Sequence, residues 1–191
     1  CTANGSTMYF GGVVGNYSLT NNLRCISNSC NEGDIIVPYG TSGKFVGGLI
    51  GRNARMNINN CYAFCALQGT TVAGITADGA SINNSNVVIS NCYYFGTITS
   101  NSSAYGIAGE SNVSYKFIID HCYYPSGYSL CHSTSTDNGN NATLSSATTL
   151  SNNSSLATAL HNNLLNMPAG SYDWQNSTSG PAHVVFVTGS K

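Results

Sequence analysis

The groups able to do chemistry are few and scattered. The carboxylates are Glu32, Asp34, Asp78, Glu110, Asp120, Asp137 and Asp173. Polysaccharide cleavage needs two nearby carboxylates, or a carboxylate with a base. Asp120–His121 is the one adjacent acid–histidine pair. Neighbours on a strand face opposite ways, so the two are not expected to act together. Glu32 and Asp34 share a face if their segment is extended, yet both sit in a turn region where solvated acids are ordinary. Cys131–His132 sets a thiol beside a base, but in a polar loop it reads better as a disulfide partner next to a surface histidine. Neither GxSxG nor HExxH occurs. Cys61 and Cys65 are four apart with no matching second pair, which is poor zinc-ligand spacing. The expectation is no enzyme, no metal and no cofactor.

The remaining reactive groups point to modification. Cysteines stand at Cys1, Cys25, Cys30, Cys61, Cys65, Cys92, Cys122 and Cys131, and the even count favours an oxidising, extracellular setting. All eight are disulfide candidates, with no pairing assigned. Rungs of a parallel stack lie about 4.8 Å apart, so a column of Cys61, Cys92 and Cys122 approaches disulfide distance. The same column also reads as buried free thiols. N-x-[ST] sequons occur at Asn4, Asn16, Asn83, Asn101, Asn112, Asn141, Asn152, Asn153 and Asn176. Chance supplies much of that number in so Asn- and Ser-rich a chain. Glycans are expected best at Asn101, Asn141 and Asn176, read as loop positions.

Composition narrows the partners. Charged residues are 7% of the 191, and the net charge is −1. Arg24, Arg52, Arg55 and Lys116 form no basic stripe, so no nucleic-acid or anionic-lipid partner is expected. No apolar run has the length of a membrane span. The chain opens at Cys1 with no signal peptide, which suggests a processed, secreted or cell-surface product.

A recurring phrase must position all of these groups. It reads INNCY at 58–62, ISNCYY at 89–94 and IIDHCYY at 118–124, with a degenerate ISNS at 26–29. The isoleucines Ile26, Ile58, Ile89 and Ile119 stand 32, 31 and 30 residues apart. Ahead of each copy lies a glycine-rich apolar patch: FGGVVG at 10–15, FVGGLIG at 45–51, VAGI at 72–75 and YGIAG at 105–109. Such a period implies a stack of similar units. The apolar runs between Asn, Ser and Gly clusters are too short for helices and rich in β-branched and aromatic residues. The expected fold is therefore all-β, a parallel β-solenoid (β-helix) of about four coils. It would occupy 1–130, with Ile58, Ile89 and Ile119 inward. Asn60 and Asn91 would form a turn ladder, completed by His121. Residues 131–150 read as a low-complexity loop. Leu156, Leu160 and Leu164 then mark a short C-terminal capping helix, and 183–187 a final strand, so 131–191 closes the same structural unit.

The patches GGVVG, GGLIG and GIAG, each followed by an ISNCY-type phrase, resemble the GLUG-motif repeats of bacterial and protist surface proteins. The likeness covers about 8–128. SSLATALHNN at 154–163, YDW at 172–174 and GPAHVVF at 180–186 are similar to the segment that often closes such an array. VAGITADG at 72–79 departs from the pattern in lacking the double glycine. The resemblance implies a β-solenoid with an extracellular adhesive or structural role and supplies no catalytic residues.

Two surfaces stand out. Tyr62, Tyr93 and Tyr123 each follow a column cysteine and would project side by side. They form either a strip for carbohydrate or a neighbour, or a ladder holding rungs together. The first apolar run, with Met8, Tyr9 and Phe10, is reached with no helix or charge guarding it. The first expectation is thus a glycosylated filament or coat subunit binding copies of itself head-to-tail, with Val184, Val185, Phe186 and Val187 as the donor strand. The alternative is a monomeric adhesin or glycan-binding module. A carbohydrate-active enzyme ranks third.

Overall fold

The computed structural model describes residues 7–18, 23–39, 43–79, 86–110, 116–144, 154–164, 172–176 and 184–188. The first repeat unit carries β1 (Thr7–Gly11), β2 (Val14–Tyr17), β3 (Arg24–Ser27), β4 (Cys30–Asn31) and β5 (Ile35–Ile36). The second carries β6 (Gly43–Gly47), β7 (Ile50–Asn53), β8 (Met56–Asn59) and β9 (Tyr62–Phe64). Next come β10 (Leu67–Ala73), β11 (Thr76–Gly79), β12 (Val87–Ser90) and β13 (Tyr93–Phe95), then β14 (Ile98–Glu110), β15 (Phe117–Asp120) and β16 (Tyr123–Pro125). A shorter fifth unit follows, with β17 (Ser129–Cys131), β18 (Thr136–Asp137) and β19 (Ala142–Leu144). Helix α1 (Ser154–Leu164) and the antiparallel pair β20 (Tyr172–Asn176) and β21 (Val184–Thr188) complete the described chain.

The fold is all-β and, outside that last pair, parallel. Each strand pairs with its counterpart one unit away. The order β18-β15-β12-β8-β3 makes one sheet and β19-β16-β13-β9-β4 another. The third sheet runs β1-β6-β10-β14-β11-β7-β2, because the long β14 carries straight through a corner at which the other units bend. Register follows the sequence repeat: Ile26 pairs with Ile58, Ile58 with Ile89, and Ile89 with Ile119. Period-2 alternation sends Val87 and Ile89 inward and Val88 and Ser90 outward. Ile58, Ile89 and Ile119 have no exposed surface, and full burial of such a side chain contributes about 1.5–3 kcal/mol.

Two corner devices hold the register. Asn28, Asn60, Asn91 and His121 adopt the left-handed conformation, with φ from 51° to 55°. Asparagine tolerates that region better than most residues. The Asn91 amide also donates to Asn60 Oδ1 at 2.8 Å, so the expected turn ladder is present. The second device is the glycine patch. A Cβ on Gly74 would lie 2.1 Å from the Gly106 carbonyl oxygen and 2.4 Å from the Tyr94 ring. Successive units therefore approach more closely there than any side chain allows. Main-chain bonds continue through the corner, with Leu49 N–H to Ile75 O at 3.0 Å and Ile75 N–H to Ile107 O at 2.9 Å.

Two expectations need correction. Residues 131–144 are not a loop: β17, β18 and β19 extend all three sheets, with Asp137 beside Ile119 and Ala142 beside Tyr123. Nor does α1 lie across an end of the stack. Its Leu156, Ala157 and Leu160 pack on Tyr62, Tyr93, Leu144 and Trp174, along the outer face of the β19-β16-β13-β9-β4 sheet.

Candidate functional site

The tyrosine strip is an internal seam. Tyr62 and Tyr93 stack with centroids 5.1 Å apart and planes 2° off parallel, and Trp174 tilts onto both at 6.2 and 5.9 Å. Tyr62 is 4% exposed and Tyr93 not at all, so of the two readings the ladder is the one present. The Asn91 amide also donates to Leu160 O at 3.2 Å, tying α1 to the same seam.

The next column outward turns from aromatic to acidic. Cys30 pairs with Tyr62 and Asn31 with Ala63, which aligns Glu32 with Phe64 and then Phe95. Phe64 and Phe95 stack at 6.2 Å. Between this column and the row of Asp34, Ala66 and Thr97 lies a groove of about 400 Å³. The Tyr62 hydroxyl donates to Glu32 Oε1 at 2.5 Å, and the Ala66 N–H donates to Asp34 Oδ1 at 2.8 Å. Burial, then the charge of Asp34, pushes the Cys65 thiol up to about 12. The two acids that sequence placed in a solvated turn are thus oriented by donors at the mouth of a largely carbon-walled groove.

A second polar site escaped sequence reading. Asn16 pairs with Arg52, Arg52 with Asp78, and Asp78 with Glu110, making one row across adjacent units. Arg52 Nε lies 3.3 Å from Asp78 Oδ2, and its guanidinium sits 5.0 Å over the Tyr9 ring. Tyr9 in turn stacks on Phe45 at 5.4 Å. Burial pushes the Asp78 carboxyl up to about 6; Glu110 adds to the rise, while Arg52 and a hydrogen bond from Tyr9 oppose it. Part of the signal was available: Asn16, Arg52 and Glu110 directly follow the glycine patches of their units, while Asp78 stands three residues past the end of VAGI.

The other candidates fall as follows. Asp120 Oδ1 and His121 Nδ1 lie 3.0 Å apart, against the expectation of opposite faces, because His121 is left-handed rather than extended. His132 Nδ1 lies 2.9 Å from Thr134 Oγ1. Burial, then Asp137, pushes the Cys131 thiol up to about 11, the reverse of what activates a nucleophile. Cys25, Cys30, Cys61, Cys65, Cys92, Cys122 and Cys131 are all free thiols, and Cys1 lies outside the described residues. Cys61, Cys92 and Cys122 do form a column with no exposed surface, so the free-thiol alternative is the one present. In-register Cβ atoms stand about 4.8 Å apart, where a disulfide wants about 3.8 Å. Each thiol donates to main chain instead, for example Cys92 Sγ to Ser90 O at 3.1 Å.

Of the sequons, Asn16 and Asn101 lie exposed on β2 and β14. The Asn141 amide donates to Ile119 O and Asp137 Oδ1, so that nitrogen is already engaged. Asn176 falls on β20 rather than in a loop. Asn4, Asn83, Asn112, Asn152 and Asn153 lie outside the described residues. Among the expected assembly residues, Met8, Tyr9 and Phe10 lie on β1, which pairs only with β6 among the described strands. Val184, Val185, Phe186 and Val187 lie on β21, one edge of which is taken by β20.

Among the described residues the exposed large hydrophobics are Val13 (45%), Leu23 (48%), Ile36 (53%) and Tyr39 (44%). All four belong to the first unit, beside strands that have a neighbour on one side only. No helix among the described residues is long and apolar enough to cross a membrane. Comparison with known protein families, with curated proteins and with solved structures returns no match.

Proposed function

We propose that the chain is a non-enzymatic structural subunit: a β-solenoid of the GLUG type that stacks end to end with copies of itself in an extracellular filament or coat. One observation carries this reading. Val13, Leu23, Ile36 and Tyr39 cluster on the unit whose strands β1 to β4 each present an unpaired edge among the described residues. Exposed apolar surface beside open strand edges favours strand addition. A copy of the same repeat supplies matching spacing, parallel direction and corner geometry. Register supports the solenoid, since counterparts one repeat apart pair in all three sheets. A donor strand at 184–187 would have to use the edge of β21 that β20 leaves open, so the fifth-unit edge is the simpler partner. Glycans at Asn16 and Asn101 would supply solubility to a surface with so few charges.

The test is sedimentation and negative-stain microscopy of the purified chain beside Ile36→Lys/Tyr39→Lys. The wild type is expected to form regular end-to-end assemblies. The double variant should stay monomeric with unchanged far-ultraviolet circular dichroism. A wild type that is monomeric at high concentration sinks the proposal. The groove at Glu32 and Asp34 favours a second reading, a monomeric binding module, which that outcome would promote.

A further inference from the structure

The groove beside Glu32 and Asp34 runs across the first three units, and the inter-unit contacts along it leave an open space between its two rows. Its walls are chiefly carbon, from Phe64, Phe95, Ala66 and Cys65, and two carboxylates stand at one side. Among the described residues no lysine or arginine lines it. At about 400 Å³ it lies within the ordinary range of small-ligand sites. The Tyr62 hydroxyl donates to Glu32 Oε1 and the Ala66 N–H to Asp34 Oδ1, which orients both carboxylates beside the groove. An ionised carboxylate has about four acceptor sites, enough to serve such a bond and a ligand together.

We propose that this groove receives a primary ammonium on a short carbon chain, the chemistry of a lysine side chain offered by a partner protein. The stem would lie along the carbon walls, and the ammonium would donate charge-assisted bonds to both acids. A neutral sugar would find few polar groups here. Phe64 and Phe95 are also turned onto each other, planes 15° apart, rather than laid flat as a shared platform. The inference does not rest on assembly, because a small amine can probe the groove in the Ile36→Ser/Tyr39→Ser protein, which removes the same apolar surface without adding a cation beside Asp34.

The experiment is titration with n-butylammonium, followed by NMR chemical shifts, with n-butanol as the neutral match. Saturable binding of the amine, with the alcohol at least about fivefold weaker, is expected for contacts to partly exposed charges. Glu32→Gln and Asp34→Asn keep the internal bonds and should each weaken the amine about fivefold while leaving the alcohol unchanged. Thr97→Phe should abolish binding with both acids intact. Nα-acetyl-lysine amide should follow n-butylammonium. Equal binding of alcohol and amine, or no saturation by the amine, overturns the proposal. Tighter binding of glucosamine than of the lysine amide overturns its assignment to a protein side chain.

Discussion

The first and third units share their turns but not their fillings. Asn28 and Asn91 adopt the same left-handed φ, 54° and 53°, so the backbone path is the same. Along that path Ile89, Cys92 and Tyr93 are fully buried. Their counterparts in the first unit are a partly buried Ile26, then Ser29 and the exposed Cys30. Corner chemistry fixes the route of the chain, whereas sealing of the interior needs a neighbour on both sides. A stacked fold can thus keep its geometry to the last rung while losing its core there.

Three measurements would break or sharpen that contrast. The largest effect is expected at the glycine corner. Gly74→Ala drives a methyl group onto the Gly106 carbonyl and the Tyr94 ring, and should cost about 4 kcal/mol in chemical denaturation. Gly12→Ala, its counterpart in the first unit, would meet the Asn31 side chain at 2.4 Å and Gly48 O at 2.6 Å, and should cost about half as much because the Asn31 side chain can swing away. Equal costs would mean that the corner is no tighter inside than at the edge. Next is the isoleucine column. Ile89→Ala should cost about 3 kcal/mol and Ile26→Ala about half of that, because only Ile89 leaves a sealed cavity. A large loss at Ile26 would show the first unit covered in solution.

The smallest effect is electrostatic. The Asp78 carboxyl is raised from 3.8 to about 6 on folding, so the folded state holds a proton that the unfolded chain releases between those values. This site's contribution is therefore greatest at or below pH 4 and is lost as pH rises through 6. Thermal melts of the wild type should show that decline, and Asp78→Asn should flatten it. A variant as pH-dependent as the wild type over pH 4–6 would assign the slope to another group.

Sequence made the register legible because Ile58, Ile89 and Ile119 recur at nearly constant spacing on strands too short to be anything else. It hid the fifth unit because Ile119 and its partner Asp137 are only 18 residues apart and unlike in chemistry. The groove was hidden for a related reason. Glu32 aligns with Phe64 only once Cys30 is placed on Tyr62, a match that residue type argues against. The buried seam could not be read locally either. Tyr62 and Tyr93 look like surface ladder positions until α1 and Trp174, distant in sequence, close over them.

The thiol column makes each central unit its own stopwatch. Cys61, Cys92 and Cys122 sit one per unit with no exposed surface, while Cys25 and Cys30 are open to solvent in the first. An alkylating reagent will consume the outer pair at once and reach the inner three only as fast as each rung parts from the next. Mass spectrometry of the labelled peptides would then time, without an engineered probe, whether the stack frays from one end or opens as a whole.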